Sequence, residues 1–93
     1  MGTEADELAG LVGSVVILDT APPLGYIGKL EAWQEGVVLL TDADVHDVTE
    51  GRSTKDMYAL EARRHGVQRN RARVAVRRDQ IVSVSRLDDV VLY

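Results

Sequence analysis

Five short stretches of strand character, separated by turn-forming residues, constrain this chain more than any other feature. They are Ser14–Thr20, Tyr26–Trp33, Val37–Thr41, Arg71–Arg77 and Ile81–Ser85. In the second, Tyr26, Gly28, Leu30 and Ala32 alternate with Ile27, Lys29, Glu31 and Trp33, the period that sends successive side chains to opposite faces of a sheet. In the fourth, Ala72, Val74 and Val76 share one face, and Arg71, Arg73, Ala75 and Arg77 the other. The joints are also readable. Ala21-Pro22-Pro23-Leu24-Gly25 suits a turn, Gln34-Glu35-Gly36 a tight hairpin, and Arg78-Asp79 the passage into the last strand. Gly28, inside a strand, predicts a sharp bend or a close approach of two backbones.

Two helices interrupt the strand pattern. Glu4–Leu11 has Thr3 as N-cap and acids in its first turn. Ser53-Thr54-Lys55-Asp56 forms a capping box that opens a helix over Thr54–His65, with Met57, Leu60 and Glu61 or Arg64 at helical spacing. Arg63, Arg64 and His65 fall in its last turn, where cations complement the helix dipole, and Gly66 terminates it. The segment Asp42–Gly51 before this helix reads as an acidic loop, and Leu87–Tyr93 as an apolar tail able to pair with a neighbour.

Five short strands in 93 residues predict a small, strongly bent, barrel-like sheet in one domain. The chain has no cysteine, no phenylalanine, one tryptophan and three tyrosines, so its core is built from Val, Leu, Ile and Ala without disulfides or thiolate metal sites. Such a core is thin, and self-association is the usual remedy. The acidic start, Met1 to Glu7, is unlike a basic leader, and the uncharged run Ala9–Leu18 is about half the length of a membrane span. The expected setting is intracellular, soluble and cytoplasmic.

Charge divides the chain. Residues 1–50 carry one base and ten acids, and residues 51–93 ten bases and five acids, giving −9 and +5 within a net −4. Ala62–Arg78 holds seven arginines and no acid. Two readings stay open: the arginines face the acidic half within or between subunits, or they neutralise phosphates locally on a net-acidic protein.

Catalytic and metal chemistry are not expected. Asp42-x-Asp44-x-His46-Asp47 is oxygen-rich, but Asp47 and Ser53 stand where a calcium loop of the EF-hand type needs Gly and Glu. His46 and His65 have no cysteine partners for zinc. Neither a nucleophile elbow nor a phosphate-cradling glycine loop is present. No cofactor is called for.

The order of elements, together with Gly28-Lys29-Leu30, Trp33, Val37–Leu40 and Asp42-Ala43, followed later by Ala75-Val76-Arg77-Arg78-Asp79-Gln80-Ile81-Val82-Ser83-Val84, resembles the Sm-like (LSm) family. The resemblance covers residues 4 to about 86, apart from the connection 44–69, where the family tolerates insertions. It implies a mainly β fold: an N-terminal helix, five strongly bent antiparallel strands in a small open barrel, and here a helical insertion between strands 3 and 4. It also implies a homo-oligomeric ring closed by pairing of the fourth and fifth strands of neighbouring copies, and single-stranded RNA as ligand. Arg77 matches the family arginine on which a base stacks. The positions of the family's Asp and Asn fall on Trp33/Gln34 and Gly36/Val37, and its second-motif glycine is Arg78. A guanidinium still stacks on any base, but the amide that reads a base edge is gone.

The expected RNA-binding residues are therefore Arg77, Arg78, Trp33, Gln34, Arg71 and Arg73, with little sequence selectivity. Trp33 also suits plain packing. The competing expectations are a ring that scaffolds protein assembly without nucleic acid, and a monomeric barrel acting as a peptide adaptor.

Overall fold

The computed structural model describes residues 10–20, 24–47 and 55–92. The expected helix Glu4–Leu11 lies outside these residues except for Gly10 and Leu11, which enter a turn. The elements are β1 (Val15–Thr20), β2 (Leu24–Trp33), β3 (Val37–Asp47), α1 (Lys55–His65), β4 (Arg71–Arg77) and β5 (Ile81–Arg86). A 3-10 turn at Arg78–Gln80 joins β4 to β5, and another, Leu87–Asp89, follows β5. The five strands form one antiparallel sheet in the order β4-β3-β2-β1-β5.

That order forces the sheet to curl. β4 and β5 lie at opposite edges, yet only three residues connect them. The four Cα steps from Arg77 to Ile81 reach at most about 15 Å, whereas the edges of a flat five-stranded sheet stand about 19 Å apart. The strands therefore bend into an open barrel.

The bend is built at Gly28. Ile27 pairs with Asp44 and Lys29 with Thr41, so Gly28 alone faces the two residues Asp42 and Ala43, a β-bulge. Asp42 takes the left-handed region, at φ 49°. A Cβ on Gly28 would stand 2.9 Å from Ala43 Cβ and 3.0 Å from Ala43 Cα, so the expected close approach of two backbones is present.

Alternation along the strands produces two apolar layers. Val16, Leu18, Leu30, Val38, Leu40, Ala43 and Val76 line the barrel interior, with Trp33, Tyr26 and Ile81 packed against them. Each fully buried Leu or Val side chain contributes roughly 1.5–3 kcal/mol. On the outer face, Ile27 packs with Ala62 of α1 and Leu87, joined by Ile17, Tyr58, Val67 and Val90.

Two expectations are corrected. Asp42–Asp47 is not a loop but the second half of β3, because Leu24–Ile27 of β2 pair with Asp44–Asp47 and bury Ala43 and Asp44. Helix α1 docks through Tyr58 and Ala62, four residues apart, and leaves Met57 exposed. Leu87 turns into the outer cluster, while Val91 and Leu92 of the apolar tail are exposed. The helix end matches expectation, since Gly66 at φ 86° donates its N–H to Ala62 O at 2.9 Å. Among the described residues, no helix is long and apolar enough to cross a membrane.

Candidate nucleic-acid interface

Two turns meet at one end of the barrel. Trp33 pairs with Val38, and the intervening hairpin is closed by the Gln34 N–H donating to Val37 O at 3.0 Å. Gly36 supplies the positive φ, 92°, that a tight hairpin needs. Val37 pairs in turn with Arg77, which places the Arg78–Gln80 turn beside the hairpin. The Arg78 N–H donates to Gly36 O at 3.0 Å, tying the two turns together.

The side chains complete the junction. The Arg78 guanidinium lies over the Trp33 ring, 4.8 Å from its centroid, and its Nη1 donates to Gln34 O at 3.3 Å. A cation over an indole face is the most favourable of such pairings. The Trp33 Nε1–H is buried without an acceptor among the described residues. Arg77, pointing outward, donates from Nη2 to Asp79 Oδ2 at 2.7 Å, and Gln80 Nε2 donates to Asp79 Oδ1 at 3.4 Å. An open depression is bounded by Gly36, Val37, Arg77, Arg78 and Asp79.

Of the six expected site residues, four converge here: Trp33, Gln34, Arg77 and Arg78. Arg71 and Arg73 do not join them. They share the exposed face of β4 with Arg77, but Arg71 pairs opposite Ala43, six residues and about 20 Å along the strand. Arg71 also donates from Nη1 to Asn70 O at 3.1 Å, and Arg69 ion-pairs with Asp42. Of the side-chain contacts of Arg69, Arg71 and Arg77, the Arg69–Asp42 pair alone reaches the acidic first half; Arg71 contacts the carbonyl of Asn70, and Arg77 the acid Asp79, both in the second half. Asp79 was not singled out from sequence. Its signal was present as an Arg-x-Asp spacing, but an acid in a turn ordinarily reads as a turn former.

A second polar cluster lies at the opposite end of β3. Burial pushes the Asp44 carboxyl above its usual range, against the opposing pull of His46 and of its hydrogen bond with Tyr58. The Tyr58 hydroxyl donates to Asp44 O at 3.0 Å and its ring stacks on His46 at 5.2 Å. Burial, with the neighbouring Asp44 charge, holds the Tyr58 phenol strongly protonated. Asn70 extends the β3–β4 ladder with its side chain: Val45 N–H donates to Asn70 Oδ1, and Asn70 Nδ2 donates to Val45 O and Asp44 Oδ1. Among the described residues, no group of His, Asp or Glu side chains is placed to hold a metal ion.

No protein-family model matches the sequence, and no curated protein matches it. Among solved structures, it superposes on the Pyrococcus abyssii Sm protein in complex with a uridine heptamer. The TM-score is 0.61 with 15% identity, covering 88% of this chain and 94% of that one. The superposition and the bent sheet of five antiparallel strands show that the chain has the Sm-like fold.

Proposed function

We propose that this protein forms a homo-oligomeric ring that binds single-stranded RNA, chiefly through sequence-independent contacts, with no catalytic role. The observation that carries the reading is the junction of Arg77 and Arg78 with Trp33 at one end of an Sm-like barrel, where guanidinium planes and cationic charge are offered together. Planar cations stack on any base and neutralise phosphates, so affinity needs no base code. The outer edges of β4 and β5, which have no strand partner among the described residues, supply the route to a ring, each edge completing its hydrogen bonds on a neighbour. Repetition around the ring would multiply a site that is weak in one copy.

Titrating oligo-U and oligo-A against the assembled protein at two salt concentrations tests this. Arg77 is already paired with Asp79, so each engaged subunit brings one net cation, Arg78, and log K against log salt falls with a slope of about −0.7 per subunit. No affinity for either oligonucleotide at low salt, with the ring intact, would overturn the proposal.

A protein-assembly scaffold is the second reading, favoured by the Arg77–Asp79 ion pair, which already satisfies one cation within the chain. Replacing Arg77 and Arg78 with Ala separates the two. RNA binding predicts lost affinity with assembly preserved; a scaffold predicts altered assembly or no change.

A further inference from the structure

Trp33 is not a wall of the depression between the two turns; Arg78 is. Because its guanidinium covers the indole, a planar ligand entering the depression meets Arg78 and not Trp33. On the reading of this junction as an RNA site, we infer that the depression takes a guanine base. Arg78 is the stacking surface, Trp33 the positioning residue beneath it, and the Arg77–Asp79 pair reads the edge of the base.

The chemistry is a matter of pattern. Arg77 Nη2 stands 2.7 Å from Asp79 Oδ2, so the rim carries a donor followed by two carboxylate acceptors. Gln80 Nε2 contacts the other oxygen, Oδ1, and helps to fix the plane of the carboxylate. An ionised carboxylate only accepts hydrogen bonds, and a guanidinium only donates them. The Watson–Crick edge of guanine runs acceptor, donor, donor (O6, N1–H and N2–H), which is the complement of that rim. Uracil has a single donor flanked by two carbonyl acceptors, one of which would face the carboxylate. Adenine and cytosine each offer one amino donor beside a ring-nitrogen acceptor, leaving the same mismatch.

Both members of the pair are exposed, with side chains 73% and 58% accessible, so the preference belongs at the low end of what a bidentate contact gives, about fivefold. It adds a modest bias to binding that is otherwise indifferent to sequence.

The test compares fluorescently labelled RNA hexamers of alternating sequence, (UG)3, (UA)3 and (UC)3, on the wild-type ring and on Asp79→Asn. The wild type is expected to bind (UG)3 about fivefold tighter than the other two. Asp79→Asn, which exchanges one acceptor for a donor, brings the three within twofold. The ratio is the readout, because freeing Arg77 raises affinity for all three alike. Trp33→Leu, which removes the floor under Arg78, weakens all three together. Equal binding of the three by the wild type, or a guanine preference that survives Asp79→Asn, overturns the inference while leaving RNA binding intact. No binding of any hexamer at low salt overturns both.

Discussion

Gly28→Ala tests the bend on which the barrel depends. The new methyl carbon would stand 2.9 Å from Ala43 Cβ, 3.0 Å from Ala43 Cα and 3.2 Å from Thr41 O, where non-bonded carbons rest at about 3.5–4.0 Å. Two of the three atoms belong to backbone, which yields less readily than a side chain. Overpacking of this kind costs about 1–3 kcal/mol, and the reduced freedom of the unfolded chain returns about 0.4–1 kcal/mol. The net loss is about 1–2 kcal/mol, a fall in Tm of roughly 5–15 °C for a chain of this size. Thermal unfolding followed by circular dichroism at a fixed protein concentration measures it, concentration being held because assembly would shift the midpoint. Ala43→Gly removes the closest contact and leaves the other two. The double variant should therefore recover part of the loss, with a coupling of at least about 0.5 kcal/mol. An unchanged Tm for Gly28→Ala, or strict additivity of the pair, would refute the close-approach account of the bulge.

Asn70→Ala removes an amide that completes the hydrogen bonds of Val45 beyond the end of β4, and should lower stability by about 1–3 kcal/mol in urea denaturation. Asp44→Asn should stabilise the protein at neutral pH, because burial opposes the charge there and Asn can still accept from Asn70. The folded-state pKa of Asp44 lies above its unfolded value of 3.8, so the folded protein holds the proton more tightly. Wild-type stability relative to Asp44→Asn consequently falls as pH rises from 3.8 through that raised pKa, and the two converge in acid. Parallel unfolding curves from acid to neutral pH, with no convergence, would contradict this.

Strand existence and face were legible where alternation was clean. Val74 and Val76 turn inward and Arg73 and Arg77 outward, as their spacing requires. The second half of β3 was not legible, because Asp42, Asp44, His46 and Asp47 put acidic and polar side chains at strand positions and read as solvated loop. What makes them strand is tertiary: β2 pairs with them, and Asn70 and Tyr58 satisfy the polar groups that burial would otherwise strand. The helix face was misjudged for a related reason. Alanine and tyrosine outrank Met57 at a contact where the sheet already supplies Ile17 and Ile27, and where a small residue lets the helix approach.

At the site, the convergence of Trp33 and Gln34 with Arg77 and Arg78 followed from two short motifs on adjacent strands. The layering of Arg78 on Trp33 did not, since 45 positions separate them and either could have faced solvent. Arg71 and Arg73 looked equivalent to Arg77 in sequence. Strand length alone, six residues at about 3.3 Å, carries Arg71 to the far end of the barrel.

Ultraviolet cross-linking of a bound single-stranded RNA, with the attached residues located by mass spectrometry, tests the proposed interface most directly. Adducts should concentrate on 33–37 and 77–80, the two turns tied by the Arg78 N–H. Adducts confined to α1 or to the β4 end around Arg71, with none on either turn, would contradict it.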